Sequence, residues 1–270
     1  MAAHEVPAGP SRTRASAAGV YDWCLGGRHH LDCDAEAGIE ALRRLPTATL
    51  TARYNREFLR RVVRWMVEQG IRQFLDLGSG YPTVGNVHEI AQDHARDARV
   101  VYVDLDPDTV AVSTRLLADN PHAVCIQGDV CDPDAVLRHE EVRRLLDFSQ
   151  PAGLLMISVL PFVPGDAGPV VRHYKSALAP GSYLAISHVT PPEDDRAREQ
   201  QAALAASYNK TVETPARLRT REEILALFAR TELVPPGLGR ATDWRPAPGH
   251  RTERDDQAAA VLLGGVARIP

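Results

Sequence analysis

The chain has 270 residues, 44% of them hydrophobic, which is enough apolar material for one large α/β domain and gives no sign of two. Its formal net charge of −4 argues against a nucleic-acid partner, which would require a broad basic surface. No apolar stretch approaches the roughly 18 residues of a membrane span, and the start of the chain lacks the apolar core of a signal peptide. We therefore expect a cytoplasmic protein without a membrane partner, whose four cysteines are thiols.

The first 70 residues are predicted to form a tail followed by a cover over the rest of the chain. Residues 1–15 are rich in Ala, Pro, Ser and Arg and are predicted to be a disordered tail. Residues 16–70 open a single domain that runs to residue 270, and the stretch around Gly26-Gly27 is too irregular for a strand. Residues 51–69 are predicted to be an amphipathic helix. An irregular segment and a helix should therefore wrap around the core.

The most informative stretch is residues 73–89, where an apolar run ends in Asp76 and is followed by Gly78, Gly80 and a helical pattern. Glycines allow the backbone to approach a ligand closely, and the start of the following helix offers unpaired N–H groups. This succession of strand, turn and helix predicts a nucleotide-binding site. The alternative for Asp76 is a carboxylate that only caps the glycine turn.

Two later apolar runs also end in acids. The run 99–104 ends in Asp104, about twenty residues beyond the glycine turn, where a ribose-binding carboxylate is expected. The run 123–127 is followed by Asp129. We expect Asp104 to accept both hydroxyls of a ribose and Asp129 to accept from an adenine amino group. The alternative for both is a solvated loop acid.

The glycine pattern distinguishes two cofactors. A dinucleotide site would need a third glycine beneath the pyrophosphate, and Pro82 stands at that position. S-adenosylmethionine carries no phosphate, but its ribose diol, adenine and charged amino acid suit acids at three strand ends. In this assignment Asp76 lies near the ammonium group. The pattern favours the methyl donor, with a nicotinamide-dependent oxidoreductase as the alternative.

The middle and end of the chain alternate between strand and helix patterns, which is typical of a parallel sheet that binds ligands at the carboxyl ends of its strands. Strands are predicted at 72–76, 99–104, 123–127, 153–159 and 182–187, and further helices at 168–179 and 220–230. Residues 191–219 are polar and are predicted to form a lid over the substrate side. Thr220 and Glu223 form a capping box, after which two β-type runs follow at 231–238 and 258–269.

Seven motifs carry a resemblance to a known family. They are Val-Tyr-Asp-Trp-Cys-Leu-Gly-Gly at 20–27, Ala-Arg-Tyr-Asn-Arg-Glu-Phe-Leu at 52–59, Ile-Arg-Gln-Phe-Leu-Asp-Leu-Gly-Ser-Gly at 71–80, Pro-Thr-Val-Gly-Asn-Val-His-Glu at 82–89, Val-Tyr-Val-Asp-Leu-Asp-Pro at 101–107, Leu-Asp-Phe-Ser-Gln-Pro at 146–151 and Ala-Pro-Gly-Ser-Tyr-Leu at 179–184. With these motifs the chain resembles the actinobacterial S-adenosylmethionine-dependent methyltransferase family, a class I group whose substrates are largely unassigned.

The resemblance implies a Rossmann-like α/β fold with a seven-stranded, mostly parallel sheet in the order 3-2-1-4-5-7-6 and an N-terminal helical cover. It also implies methyl transfer from S-adenosylmethionine to a small-molecule acceptor, which we place in secondary metabolism. The alternative outside enzymes is a regulatory module that binds S-adenosylmethionine without catalysis.

The residues expected to contact the donor come from the motifs and the strand ends. They are Tyr21, Asn55, Asp76, Gly78, Ser79, Gly80, Asp104, Leu105, Asp129, Val130 and Ser158. Tyr21 and Asn55 belong to the shared motifs and have no evident core role. We therefore expect one of them to touch the cofactor, with a turn anchor as the alternative.

Methyl transfer requires donor and acceptor to be held in line, about 3–3.5 Å apart, with water excluded. His188, at the predicted tip of the fifth strand, is the candidate catalytic base because histidine titrates near neutral pH. Its alternative is a histidine bonded to loop backbone. His29, His30, Phe162 and Tyr208 are expected to line the acceptor pocket, although core packing is an equal alternative for Phe162 and helix packing for Tyr208.

Cys24, His29, His30 and Cys33 form a short cluster of side chains that are able to bind zinc. A tetrahedral zinc site needs four such groups, but this spacing matches no established zinc module. The family resemblance does not require a metal here, and we predict none.

Overall fold

The computed structural model describes residues 14–82, 85–192, 215–249, 252–253 and 255–270. A mixed sheet lies between helices on both of its faces. The strands are β1 (Gln73–Leu77), β2 (Arg99–Asp104), β3 (Ala123–Gln127), β4 (Gly153–Ile157), β5 (Tyr183–Val189), β6 (Glu232–Leu233), β7 (Gly239–Arg240) and β8 (Leu262–Arg268). The described helices are α1 (Ala17–Cys24), α2 (Asp32–Arg44), α3 (Ala48–Glu68), α4 (Val87–His94), α5 (Pro107–Leu116), α6 (Pro133–Arg138), α7 (Glu140–Leu145), α8 (Gly168–Ser176), α9 (Arg221–Leu227) and α10 (Gln257–Ala260).

The sheet has the order β3-β2-β1-β4-β5-β8-β6, in which β1 to β5 are parallel and β8 is antiparallel to both of its neighbours. The predicted fold class is confirmed. The predicted order 3-2-1-4-5-7-6 differs from the structure by one element, because β7 also pairs with β8. That strand has only two residues, too few for a two-residue alternation to be visible in the sequence.

The central strands are buried on both faces, as strands of a parallel sheet usually are. Leu75 and Leu77 of β1 pack into the hydrophobic cluster on one face, whereas Phe74 packs into the cluster on the other. Helix α3 supplies much of the second cluster, with Phe58 and Met66 fully buried. The carboxyl ends of β1 to β5 are thereby held at one edge of a rigid layer.

Buried carboxylates hold the N-terminal cover together. Asp34 of α2 accepts a hydrogen bond from Ser16 N at Oδ1 (2.8 Å) and one from Leu31 N at Oδ2 (2.8 Å). Asp22 of α1 is buried as well. Ala15 packs in the cluster that joins α1 to α3, so residue 15 belongs to the packed structure and not to a tail.

The capping box predicted at the start of α9 is confirmed. Thr220 Oγ1 accepts from Glu223 N at 3.3 Å, and Glu223 Oε2 accepts from Thr220 N at 2.8 Å. None of the four cysteines, all of which the structure describes, forms a disulfide. Among the helices that the structure describes, none is both long and apolar enough to cross a membrane. Residues 1–13 of the predicted tail lie outside the described residues, as do 193–214 of the predicted lid, including Tyr208.

Candidate functional site

A cavity of about 860 Å³ lies at the carboxyl ends of the parallel strands. Its volume is near the upper end of the range for ligand pockets, roughly 300–1,000 Å³. The structure brings together in its wall all the residues that were expected to contact the donor, which are Tyr21, Asn55, Asp76, Gly78, Ser79, Gly80, Asp104, Leu105, Asp129, Val130 and Ser158. Phe162, expected in the acceptor pocket, lies in the same wall.

The glycine turn after β1 forms one side of this cavity. Gly78 N donates a hydrogen bond to Val103 O near the end of β2, at 2.8 Å. Gly78 has a φ of +66°, and a Cβ at this position would lie 2.1 Å from Val159 Cγ2. The turn therefore requires glycine at this position for its backbone conformation and for its packing against the end of β4.

Asp104 is fixed beside the glycine turn by backbone hydrogen bonds. Its Oδ2 accepts a hydrogen bond from Gly80 N at 2.8 Å, and its Oδ1 accepts one from Asp106 N at 3.0 Å. Burial raises the pKa of Asp104, while these backbone donors act in the opposite direction. Each carboxylate oxygen has a second lone pair, so the group can accept further hydrogen bonds from a ligand.

Asp76 lies at the end of β1 beside a buried arginine, Arg56 of α3. Burial raises the pKa of Asp76 to about 7; the charge of Arg56 opposes this shift, and the charge of Asp104 adds to it. The guanidinium of Arg56 lies over the ring of Tyr21, with 5.5 Å from Cζ to the ring centroid. A cation and an anion thus face the same cavity near the glycine turn.

Asp129 follows β3, and the backbone also holds its side chain in place. Its Oδ1 accepts a hydrogen bond from Cys131 N at 2.8 Å. The preceding Gly128 N donates to Asp104 O at 2.9 Å, which ties the end of β3 to the end of β2. Leu105 and Val130, each immediately after one of the two acids, add apolar surface to the same wall.

A chain of hydrogen bonds connects the cover to the ends of β4 and β5. Asn55 Nδ2 donates to Tyr21 Oη at 2.9 Å, and Ser187 Oγ donates to Asn55 Oδ1 at 2.5 Å. Ser187 Oγ lies 3.3 Å from Ser158 Oγ. Ser158 has a φ of +56°, an uncommon conformation for a residue with a side chain. The chain therefore holds a strained residue in the cavity wall, and it ends at Ala52 O, which accepts from Tyr21 Oη at 3.2 Å.

The rest of the described wall is largely apolar. Its apolar residues include Ala37, Ala41, Leu45, Ala48, Pro161, Phe162, Val189, Leu218, Val261 and Leu262, and Asp106 and Asp108 line the cavity near Asp104. Glu40 and Arg44 of α2 also reach the cavity, where Arg44 Nε donates to Glu40 Oε1 at 2.6 Å. The opposite charges of these two side chains are therefore paired with each other.

The structure places His188 outside the cavity wall and does not support its expected role as the catalytic base. The residue is fully buried, with Nδ1 2.6 Å from Val189 O and Nε2 3.3 Å from Arg219 Nη1. Burial lowers the pKa of His188 to about 4, although the hydrogen bond to Val189 acts against this. Successive side chains of a strand point to opposite faces, and it is Ser187 that reaches Asn55.

His29 and His30, which were expected to line the acceptor pocket, are not among the described residues that line this cavity. Asp22 Oδ2 accepts hydrogen bonds from His29 N (3.0 Å) and His30 N (3.1 Å) and lies 2.9 Å from His30 Nδ1. The ring of His29 stacks on Tyr81 at a centroid distance of 6.0 Å. Both histidines stabilise the turn after α1. In the part of the chain that the structure describes, no three His, Cys, Asp or Glu side chains are grouped to hold a metal ion.

Sequence reasoning missed Arg56 and Ser187. Arg56 lies four residues after Ala52, three before Leu59 and seven before Val63, all of which are buried. An arginine in register with the apolar side of a helix is a signal that could have identified it. Ser187 had no comparable signal, because its importance depends on its contacts with the distant Asn55 and Ser158.

Comparisons with known proteins match nearly the whole chain. The sequence model of the family described as S-adenosyl methyltransferase matches residues 6–270. A crystal structure of a candidate methyltransferase from Thermobifida fusca YX is 36% identical, with a TM-score of 0.90, and covers 99% of this chain and 99% of its own. A crystal structure of a DUF574 family protein from Streptomyces avermitilis MA-4680 is 37% identical, with a TM-score of 0.86, and covers 95% of this chain and 98% of its own. No curated protein matches.

Proposed function

Because the chain belongs to the S-adenosyl methyltransferase family, we propose that the cavity holds S-adenosylmethionine at the strand ends and a largely apolar small-molecule acceptor beside the cover. The enzyme is an S-adenosylmethionine-dependent methyltransferase. We propose which of its residues bind the donor and which line the acceptor site. Membership of this family argues against the alternative function, a nicotinamide-dependent oxidoreductase.

One observation carries this proposal: three carboxylates, at the ends of three adjacent parallel strands, line one cavity. Asp76 lies near the end of β1, Asp104 is the last residue of β2 and Asp129 follows β3, and all three reach the cavity beside the glycine turn. Ligands of open parallel sheets bind at this edge. The carboxylates suit a ligand rich in hydrogen-bond donors, and they would repel a pyrophosphate.

The residues present fit S-adenosylmethionine. Asp104 has one backbone donor on each carboxylate oxygen and a further lone pair on each for the ribose hydroxyls. Asp129 is assigned to the adenine amino group, and Leu105 and Val130 to the faces of the adenine ring. Asp76 is assigned to the ammonium group. The glycine at position 78 keeps the wall free of a side chain where the ligand meets the backbone.

The apolar wall supports an uncharged, largely apolar acceptor. Its side chains come from α2, from the segment after β4 and from the start of β8, and its two charged residues are paired with each other. An open compartment next to the donor residues is a feature that a purely regulatory module would not need. The cavity, at about 860 Å³, leaves room for a second small molecule.

S-adenosylmethionine, when bound, supplies an electrophilic methyl group on a positively charged sulfur. The protein has to orient both ligands and exclude water, which are the main sources of rate enhancement for an in-line displacement. The hydrogen-bonded chain from Tyr21 to Ser158 fixes the wall between cover and strand ends. Phe162 and Leu218 add apolar surface that keeps water from the acceptor side.

The proposal is tested by calorimetric titration with S-adenosylhomocysteine. Asp104→Ala should weaken binding by about 1–3 kcal/mol, because two hydroxyls lose a charged acceptor. Asp119→Ala, which changes an exposed acid near the end of α5, is the matched control and should bind as the unaltered protein does. Unchanged affinity in Asp104→Ala, or tighter binding of NADH than of S-adenosylhomocysteine by the unaltered protein, would contradict the assignment.

A further inference from the structure

Arg56 and Asp76 are buried residues of opposite charge that face the same cavity, and neither side chain has a hydrogen-bonding partner among the described residues. Arg56 is 8% exposed and Asp76 5%. Among the described residues, no group forms a hydrogen bond or an ion pair with either side chain, and Arg56 Nε is fully buried without a partner. The two charges influence each other, but they are too far apart to form a direct ion pair.

Among the described residues, the other buried arginine, Arg219, and the half-buried Arg61 both have protein partners. Arg219 donates to Val163 O at 2.8 Å and to Gly165 O at 3.0 Å. Arg61 donates to Trp244 O at 2.8 Å and to Ala241 O at 2.7 Å. Buried polar groups are nearly always hydrogen-bonded, and a buried charge without a partner is costly. Arg56 departs from this rule, and its position in the cavity wall indicates that a ligand supplies the missing acceptor.

We propose that Arg56 and Asp76 form a subsite for a zwitterionic amino acid, in which Arg56 binds the α-carboxylate and Asp76 the α-ammonium group of the ligand. This inference rests on the proposed function, because the ligand is the amino-acid part of S-adenosylmethionine. A carboxylate and an ammonium group on one carbon complement a cation and an anion that face the same space without touching. A guanidinium also presents two parallel N–H groups to a carboxylate.

Two neighbouring features place the guanidinium for this role. The ring of Tyr21 lies below Arg56, at 5.5 Å, and restricts where its side chain can go. A second, very small cavity of about 10 Å³ lies between Arg56, Asp76, Asn86 and Tyr102. That volume is at the lower limit for a single water molecule. A ligand carboxylate therefore has to approach from the large cavity, which both charged residues also line.

The test compares S-adenosylhomocysteine with its decarboxylated analogue, which lacks only the carboxylate, by calorimetric titration. The unaltered protein should bind the analogue roughly 10- to 100-fold more weakly, the range expected for a charged hydrogen-bonded pair. Arg56→Gln should weaken the binding of S-adenosylhomocysteine by a similar factor and should bind the two ligands almost equally. Arg53→Gln, an exposed arginine on the same helix, should keep the full discrimination.

The ratio of the affinities for the two ligands distinguishes a direct contact of Arg56 with the carboxylate from a structural role. If Arg56→Gln weakens both ligands by the same factor, Arg56 only balances the charge of Asp76 and the inference is overturned. Arg56→Lys, which keeps the charge but loses the paired N–H groups, should show intermediate discrimination and covers the case in which Arg56→Gln does not fold. Failure of the unaltered protein to bind either ligand would overturn the proposed function, whereas equal binding of both would overturn only this subsite.

Discussion

At the scale of a single residue, the proposed role of Asp76 makes ligand binding depend on pH. Burial raises the pKa of Asp76 to about 7, well above the ordinary value of 3.8 for an aspartate. Between about pH 4 and pH 7 the folded protein therefore holds a proton that the unfolded chain releases, and the contribution of Asp76 to stability falls as the pH rises through this window. The ionised form, which an ammonium group needs, dominates only above neutrality.

We therefore expect S-adenosylhomocysteine to bind about tenfold more tightly at pH 8 than at pH 6, because binding at pH 6 must first remove the proton from Asp76. Calorimetric titrations across this range measure the effect. Burial also raises the pKa of Asp104, so Asp76→Asn is the control that isolates Asp76. This variant should bind S-adenosylhomocysteine weakly and with little pH dependence. Without ligand at pH 8, it should unfold at a higher temperature than the unaltered protein does. An equal pH dependence in both proteins would contradict the assignment.

Gly78 and Gly80 have similar backbone conformations but different surroundings, with φ values of +66° and +64°. A Cβ on Gly78 would lie 2.1 Å from Val159 Cγ2, whereas a Cβ on Gly80 would come no closer than 4.0 Å to Ala18 Cβ. Gly78→Ala should therefore cost about 1–3 kcal/mol more in the free energy of unfolding than Gly80→Ala, because overpacking adds to backbone strain. Urea denaturation measures both, and equal losses would mean that the turn can move away from Val159.

The limits of sequence reasoning are visible at the end of β5. Position and chemistry favoured His188, because a histidine at a strand tip is a natural candidate for proton transfer. Side chains alternate along the strand, and in the structure Ser187 contacts Asn55 whereas His188 contacts Arg219. A shift of one residue reverses the face of a strand, and the sequence of a strand buried on both faces does not reveal which face is which.

At the scale of elements, the long apolar runs identified the parallel strands to within a few residues. The run predicted at 72–76 is β1 at Gln73–Leu77, and the run predicted at 182–187 is β5 at Tyr183–Val189. Strands of this kind consist almost entirely of buried apolar residues, which a sequence displays directly. The α1 and α2 helices were expected only as an irregular wrapping segment, because their contacts involve buried acids such as Asp34, whose burial no periodicity reveals.

The cover provides a prediction at this scale. Asp22→Ala removes the acceptor of His29 N and His30 N, which should cost about 1–3 kcal/mol and loosen the turn between α1 and α2. Hydrogen exchange should become faster in residues 17–31 and stay unchanged in β1 to β5. Glu36→Ala, at an exposed position of α2, is the control and should leave exchange unaltered. Unchanged exchange in Asp22→Ala would show that the turn does not depend on this carboxylate.

At the scale of the whole molecule, the proposed donor and acceptor sides differ in how far the sequence could predict them. The residues assigned to the donor lie at strand ends that meet at one edge of the sheet, so separate motifs could be assigned to one site before the fold was known. The apolar wall is assembled from parts distant in sequence, such as Ala41 of α2, Leu218 and Leu262 of β8. No local pattern links these residues, and only the packed structure brings them together.

If donor and acceptor occupy separate parts of the cavity, a variant can lose methyl transfer and still bind the donor. Ala41→Phe places a ring in the apolar wall, so methyl transfer should be lost while S-adenosylhomocysteine binds with unchanged affinity. With S-adenosylmethionine labelled in the methyl group and a cell extract as the source of acceptor, the unaltered enzyme should label the fraction soluble in organic solvent. Ala41→Gly is the control and should retain transfer. Label confined to protein or nucleic acid would contradict a small, apolar acceptor.

The most direct test of the donor site is a crystal structure of the protein with S-adenosylhomocysteine. We expect the ribose hydroxyls within hydrogen-bond distance of the Asp104 carboxylate, the adenine beside Asp129, and the amino-acid end between Arg56 and Asp76. A ligand that lies elsewhere, or one whose ribose makes no contact with Asp104, would contradict this assignment.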